Sequence, residues 1–272
     1  MPDYQFATLR PVQLYVELGA GTIQVTADDT TESRVAVTGR DADRVVVDFD
    51  GDHLSVVAPK NRTGFLDRKL DIVIVVPTDS RLQVKSGSAD VAARGRYAAV
   101  HVRTGSGDVV IADVAGDGLV ETGSGDIRVD SATAELRIKS GSGDIDIDEA
   151  GDAVSISTGS GDIRIGTCRG PASVKTGSGD LKVSRAEADV SLSTGSGDLV
   201  IGAAHRGRVT AKGASGDVHV GIPAGLPVWT DLSTVTGRIS SGLAGGGEPE
   251  AGADYVELRA KTVSGDIVLT EK

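Results

Sequence analysis

The chain has 272 residues, including 37 glycines and 8 prolines, and only 3% of it is aromatic. Bulky aromatic anchors normally fill a large globular core, so this composition predicts a thin core of Val, Ile, Leu and Ala. The formal net charge is −11, and Lys and Arg are scattered singly among Asp and Glu, which argues against nucleic-acid binding and against an anionic membrane surface.

The N-terminus, "MPDYQFATLRPVQLYVELG", has neither the positive start nor the continuous apolar segment of a signal peptide. The longest apolar run, Ile72–Val76, is far shorter than the ~20 residues of a transmembrane helix. Cys168 is the single cysteine, which excludes an intramolecular disulfide. We therefore predict a cytoplasmic protein without membrane insertion, with leaderless export as the alternative.

The first 85 residues are rich in strand-forming residues but irregular. Strands are indicated by "GAGTIQV", "ESRVAV", "RVVVDF", "HLSVVAP" and "LDIVIVVP". The sequence "DGD" at 50–52 predicts a hairpin turn. We expect residues 1–85 to form an N-terminal β cap of degenerate coils, and we expect loops at 61–69 and 242–255.

A motif of the form Thr-Gly-Ser-Gly-Asp then repeats along the chain. The distance between successive motif aspartates is 18 residues for the set Asp90, Asp108, Asp126, Asp144, Asp162, Asp180 and Asp198. Later copies end at Asp217, Arg238 and Asp266, after steps of 19, 21 and 28 residues. Repetition at a fixed period indicates stacked structural units.

Apolar residues alternate with polar ones on both sides of each motif, which predicts two short strands per unit, each with one buried face. One unit cannot bury its own apolar row, so each strand should pair in parallel with its copy in the next unit. The pattern predicts an all-β fold, a single β-solenoid or parallel β-helix, with regular coils over 86–217 and irregular coils over 218–272 in one continuous domain. An antiparallel sandwich is the rival fold, but it would not repeat at a fixed 18 residues. The general bias of parallel crossovers predicts a right-handed solenoid.

The sequence resembles a known bacterial family. The resemblance rests on the TGSGDI-type repeats, the entry strand "VQLYVELGAGTIQV", the late "VGIPAGLPVW" and the final "VELRAKTVSGDIVL". That family is known as the "putative adhesin", or β-strand-repeat, family of unknown function. The resemblance covers nearly the whole chain and implies a β-helical fold, and it implies no catalytic residues.

The motif itself has a structural and a functional interpretation. Its glycines permit a tight corner, and its Asp can accept backbone hydrogen bonds at a turn. Alternatively, a stacked column of carboxylates repels itself and could recruit a cation such as calcium. The candidate cation ladder comprises Asp108, Asp126, Asp144, Asp162, Asp180 and Asp198. The spacing departs from the calcium-binding nonapeptide pattern, which favours the structural interpretation.

Signals for catalysis or for a cofactor are weak. The four histidines are isolated, and the sequence has no phosphate-binding loop and no nucleophile elbow. Identical coils would give their carboxylates equal environments, whereas a catalytic pair needs unequal ones. Cys168 occupies a column of small core residues and is expected to be buried filling. Trp229 is expected to cap the open end of the core, with ligand stacking as the alternative.

One predicted strand face has an unusual composition. Residues 11 and 13 positions beyond each motif Asp should point outward and form a flat stripe that is charged at one end and rich in serine at the other. The candidate interaction stripe comprises Arg137, Lys139, Ser155, Ser157, Ser173, Lys175, Ser191 and Ser193. We expect a non-catalytic binding or scaffold protein without a cofactor, whose partner is a protein or a second copy of itself. The alternatives are a calcium-binding repeat protein and a polysaccharide-active β-helix enzyme.

Overall fold

The computed structural model describes residues 2–59, 69–243 and 254–272. The loops predicted at 61–69 and 242–255 lie almost entirely outside these ranges. The chain divides into two compact units, Met1–Glu135 and Leu136–Lys272. Each unit consists of strands stacked in two sheets, and one strand from each sheet forms a coil, so the predicted β-solenoid class is confirmed. No helix in the described ranges is long and apolar enough to cross a bilayer.

The N-terminal unit contains thirteen strands and one short 3₁₀ helix, Ala42–Arg44. The strands are β1 (Asp3–Ala7), β2 (Gln13–Leu18), β3 (Gly21–Asp28), β4 (Glu32–Gly39), β5 (Val46–Asp50), β6 (His53–Val57), β7 (Leu70–Pro77), β8 (Arg81–Ser86), β9 (Asp90–Tyr97), β10 (Ala99–Thr104), β11 (Val109–Val114), β12 (Gly118–Ser124) and β13 (Ile127–Ala132).

In this unit the first sheet runs β1-β4-β7-β3-β9-β11-β13 and the second runs β5-β6-β2-β8-β10-β12. Most pairs are parallel, but β1, β4 and β5 pair antiparallel with their neighbours. The predicted hairpin turn is confirmed, because Asp50 pairs with His53 around Gly51. The coil formed by β2 and β3 is inserted between the β6/β7 and β8/β9 coils, so spatial order differs from chain order.

The C-terminal unit contains fourteen strands. They are β14 (Leu136–Ser142), β15 (Ile145–Ala150), β16 (Val154–Ser160), β17 (Ile163–Cys168), β18 (Ala172–Ser178), β19 (Leu181–Ala186), β20 (Val190–Ser196), β21 (Leu199–Ala204), β22 (Gly207–Lys212), β23 (Val218–Ile222), β24 (Val228–Thr234), β25 (Ile239–Ser241), β26 (Val256–Thr262) and β27 (Ile267–Glu271).

All listed strand pairs inside this unit are parallel and in register. Leu136 pairs with Val154 and Ile163 with Leu181, so partners stand eighteen residues apart through the regular coils. The order changes near the end of the unit: β26 lies between β22 and β24, and β27 lies between β23 and β25. The coil made last in the chain is therefore an inner layer, and the edge coil is formed by β24 and β25.

The core is a double wall of aliphatic side chains, as predicted. Residues one and three positions beyond the motif Asp are fully buried, for example Ile145 and Ile147 or Ile163 and Ile165. Burial of each such side chain stabilises the fold by about 1.5–3 kcal/mol, and stacking coils is what removes the row from water.

One coil departs from the repeat through a bulge in β9. Gly95 has φ +83°, and the pairing of β9 with β11 shifts register after Ala93, so that Tyr97 pairs with Val114. Arg96 occupies the predicted core position by count, but the extra residue turns it outward and brings Tyr97 into the core. The Tyr97 hydroxyl donates to the carbonyl of Val25 at 2.9 Å, and burial raises the pKa of this phenol.

The motif glycines are required by the close approach of neighbouring coils. A Cβ atom on Gly177 would lie 2.7 Å from the carbonyl oxygen of Gly159, and one on Gly179 would lie 2.1 Å from that of Gly161. Only the second of these glycines has positive φ, at +144°. The first is therefore needed for space alone, which the sequence interpretation of a paired φ > 0 corner missed.

Candidate functional site

The motif aspartates form a ladder of backbone hydrogen bonds. In each unit the Oδ1 atom of one aspartate accepts the backbone N–H of the motif residue in the next coil, at 2.7–3.1 Å. In the N-terminal unit, Asp108 and Asp126 donate to Asp90 and Asp108, respectively. In the C-terminal unit the donors are Asp162, Asp180, Asp198, Asp217, Asp266 and Arg238. The carboxylates thus link coils, as a backbone-capping role requires.

The end of the ladder explains the exceptional Arg238. Its N–H donates to Asp266 at 2.8 Å, and its own strand, β25, is the edge strand of the sheet. No further coil needs an acceptor there, so a carboxylate is dispensable. Arg164 also lies within 4 Å of carboxylate oxygens of Asp144 and Asp162, which offsets part of their mutual repulsion.

The motif hydroxyls bond within their own turns rather than between coils. Thr158 and Thr176 donate to the carbonyls of Ser160 and Ser178, at 2.9 and 3.1 Å. The predicted hydroxyl ladder through Thr176 and Ser178 is therefore not the main arrangement. Across the residues that the structure describes, no group of three or more His, Cys, Asp or Glu side chains is placed to hold a metal ion.

We expect Asp180→Ala to lower the free energy of unfolding by about 1.5 kcal/mol, because the N–H of Asp198 loses a charged acceptor. Asp180→Asn keeps an oxygen at the same place and should cost less than half as much. Urea unfolding followed by circular dichroism measures both. Equal losses for the two variants would show that the ladder acts through charge and not through the backbone bond.

The predicted interaction stripe lies on the second sheet of the C-terminal unit, and the structure extends it. In-register pairing forms two outward columns, which continue through β22 into β26. We call this surface the lysine–serine face; its residues are Arg137, Ser155, Ser173, Ser191, Thr210 and Arg259 in one column and Lys139, Ser157, Lys175, Ser193, Lys212 and Lys261 in the other. All are exposed or half-buried. Sequence counting missed the last four because the motif step is no longer 18 there.

Trp229 lies beside this face and not over the core, so the prediction that it caps the open end is wrong. It pairs with Glu257 on the outward side of β26 and is 51% exposed. The guanidinium carbon of Arg259 lies 5.4 Å from the centroid of its ring, in a cation–π contact. The core-facing positions of β24 are taken instead by Val228, Thr230 and Leu232, which pair with buried residues of β26.

A hollow of about 280 Å³ lies next to Trp229 at this end of the face. Its lining consists of Arg208, Thr210, Ala211, Lys212, Asp231, Arg259 and Lys261. Glu257 binds Arg208 and Arg259, and Asp231 lies 3.8 Å from Lys261. Four cations against these two carboxylates make the hollow basic.

A second hollow, of about 550 Å³, has a mixed lining that includes Glu187, Asp189, Asp254 and Glu257. Unlike carboxylates in one cleft are what a polysaccharide-active enzyme would need. However, a hydrogen bond from Arg185 lowers the pKa of Glu187, and a hydrogen bond from Arg208 lowers that of Glu257. A general acid requires the opposite shift, so these two groups are not tuned to protonate a leaving group.

Cys168 is fully buried, as predicted, and its Sγ lies 2.9 Å from the carbonyl oxygen of Gly170. Burial raises the pKa of the thiol to about 11. Because the thiolate is the reactive form, we expect the native protein to resist an alkylating reagent at pH 8 and to react at once in denaturant. Mass spectrometry measures the modified fraction. Rapid alkylation without denaturant would contradict the buried assignment.

Parallel coils, a thin aliphatic core between two sheets and glycine turns linked by aspartates together define a non-globular repeat class, the β-solenoid. The sequence matches the model of the Toastrack DUF4097 family over residues 13–270. The chain therefore belongs to the Toastrack family, and the resemblance found in its repeats is confirmed.

Solved structures with similar folds cover nearly the whole chain. A "putative adhesin" from Bacteroides fragilis is 13% identical, with a TM-score of 0.36 and coverage of 98% of this chain and 96% of that one. A "putative lipid binding protein" from Parabacteroides distasonis is 14% identical, with a TM-score of 0.46 and the same two coverages. No curated protein matches the sequence. At these identities and scores the likenesses carry no argument about function.

Proposed function

We propose that the chain is a non-catalytic binding module and that the lysine–serine face is its binding surface. The supporting observation is the composition of that face. From β14 through β22, five neighbouring coils place only cations and hydroxyls in its two columns. The whole chain carries a net charge of −11, so this composition is not the average of the protein.

The fold does not require this composition. The inward side chains supply the core, and serine is not a residue that strands favour over Val or Thr. The outward positions of the first sheet in the same coils have mixed charge, with Asp146, Arg164 and Lys182 in successive strands. A face free of carboxylates over five coils therefore favours recognition over strand formation as its reason.

The test is retention by cell-envelope and cytosolic fractions of the source organism. The double variant Lys175→Glu/Ser193→Glu adds three negative charges to a register pair on the face, and we expect it to lose at least about tenfold in retention. The matched control, Lys182→Glu/Val200→Glu, makes the same charge change on a register pair of the other sheet and should behave as wild type. Equal retention of all three proteins would refute the proposed surface.

Calcium binding, the alternative function, is disfavoured because the ladder carboxylates already accept backbone N–H groups. We expect the melting temperature to be the same in millimolar calcium and in chelator. A rise of several degrees with calcium would favour the alternative, since a ligand that binds only the folded state stabilises it.

Self-association remains a prediction. It would use the unpaired edges of β24 and β25, and sedimentation at several concentrations tests it. Cytoplasmic location also remains a prediction, and the fraction that retains the protein tests it independently.

A further inference from the structure

We infer that the ligand of the lysine–serine face is a linear acidic polysaccharide in which carboxylated rings alternate with neutral rings. This inference rests on the proposed function and names its ligand class. The polymer would lie across the strands, along the two columns, with its final rings in the hollow beside Trp229.

The spacing of the cations supports an alternating polymer. Along one column the order is Lys139, Ser157, Lys175, Ser193, Lys212, so a cation recurs in every second coil. One ring of a linear pyranose polymer advances by a length close to the spacing of neighbouring strands, ~4.8 Å. A lysine in every second coil therefore meets a carboxylate on every second ring.

The serines between the lysines suit the neutral rings. Within the described residues, the hydroxyls of Ser155, Ser157, Ser173, Ser191 and Ser193 make no hydrogen bond to protein groups. Each hydroxyl can both donate and accept, as the hydroxyls of a sugar also do. Their short side chains also keep the sheet surface low, so that a chain can lie flat between the longer lysines.

The hollow supplies the second kind of contact. Lys212 and Lys261 are direct partners on neighbouring strands, and like charges placed opposite each other are unfavourable. Asp231 contacts Lys261 at 3.8 Å, and a ligand carboxylate near Lys212 would relieve the rest. The exposed ring of Trp229 offers an apolar surface for the C–H face of a sugar, with Arg259 already on that ring.

The charge density of the face opposes two other polyanionic partners. Duplex DNA carries a charge about every 1.7 Å and is best met by closely packed cations. The face offers a cation only about every 10 Å in its lysine column, over most of its length. An anionic membrane would in addition meet the negative charge of the rest of the protein.

The experiment is calorimetric titration of the whole protein with hyaluronan oligosaccharides, in which glucuronate alternates with a neutral amino sugar. From Lys139 to Lys261 the column makes five strand steps, so we expect affinity to rise with length and level off at about six rings. Parallel titrations use a neutral chitin oligosaccharide, single-stranded DNA and vesicles containing phosphatidylglycerol.

Three variants distinguish the contacts. Lys175→Gln/Lys212→Gln should weaken hyaluronan binding by at least about tenfold and flatten its salt dependence. Trp229→Ala should weaken binding with the salt dependence unchanged, because it removes an uncharged contact. Lys182→Gln, which removes the same charge from the other sheet, should bind as wild type. Thermal melts confirm that each variant is folded.

The inference is overturned if no hyaluronan oligosaccharide binds at millimolar concentration, or if DNA or the vesicles bind at least as tightly. If retention of cell fractions still depends on the face while hyaluronan fails, the ligand class is wrong and the binding surface stands. If neither depends on the face, both proposals fail together.

Discussion

Gly179→Ala is expected to lower the free energy of unfolding by at least about 3 kcal/mol. Two costs combine at this position. The backbone has φ +144°, which L side chains rarely adopt, and the new methyl would lie 2.1 Å from the carbonyl oxygen of Gly161. Relief would require the two coils to separate, which would also stretch the bond from the N–H of Gly179 to the carbonyl of Ser196.

A glycine with space around it provides the control. A Cβ on Gly242 would meet its nearest atom, the carbonyl oxygen of Leu269, at 3.6 Å, and its φ is outside the positive region. Gly242→Ala should therefore change stability by less than about 0.5 kcal/mol. Chemical unfolding followed by circular dichroism compares the two. Similar midpoints for both variants would show that coil contact does not fix the glycine.

Tyr97→Ala is expected to cost about 4 kcal/mol, because it removes the largest fully buried side chain of the protein and leaves a cavity beside the β9 bulge. Tyr97→Phe keeps the ring and loses only the hydroxyl, whose partners are the carbonyls of Val25 and Arg94. We expect that variant to cost about 1 kcal/mol. If Phe is as damaging as Ala, the hydrogen bonds and not the packing hold this coil together.

The regular coils could be predicted because their physics is local and repeated. The alternation around Ile127 and Val129 gives the buried face, and the constant step between motif aspartates gives the partner of each strand. The lysine–serine face followed from the same counting as far as Ser193. Beyond that residue, Thr210, Lys212, Arg259 and Lys261 join it through a strand order that no step length contains.

The wrong predictions share a cause, which is that sequence position was used in place of strand position. Arg96 occupies a core column by count, but the bulge at Gly95 moves Tyr97 into that place. Trp229 was assigned to the core end because its coil comes late in the chain, whereas its register with Glu257 sets it on the outward side. One inserted residue or one reordered coil defeats a periodic count without weakening the core.

The inserted coil of the C-terminal unit has a consequence for biosynthesis. Residues 256–271 leave the ribosome after residues 228–241, yet they form the layer on which those residues stack in both sheets. The edge coil therefore has no template when it emerges and must wait, with Trp229 and Ile239 in water, until its support has been translated. Layer-by-layer growth behind the moving chain is possible up to β23. The final two layers can only close together, which makes this end of the protein the last to acquire its native structure.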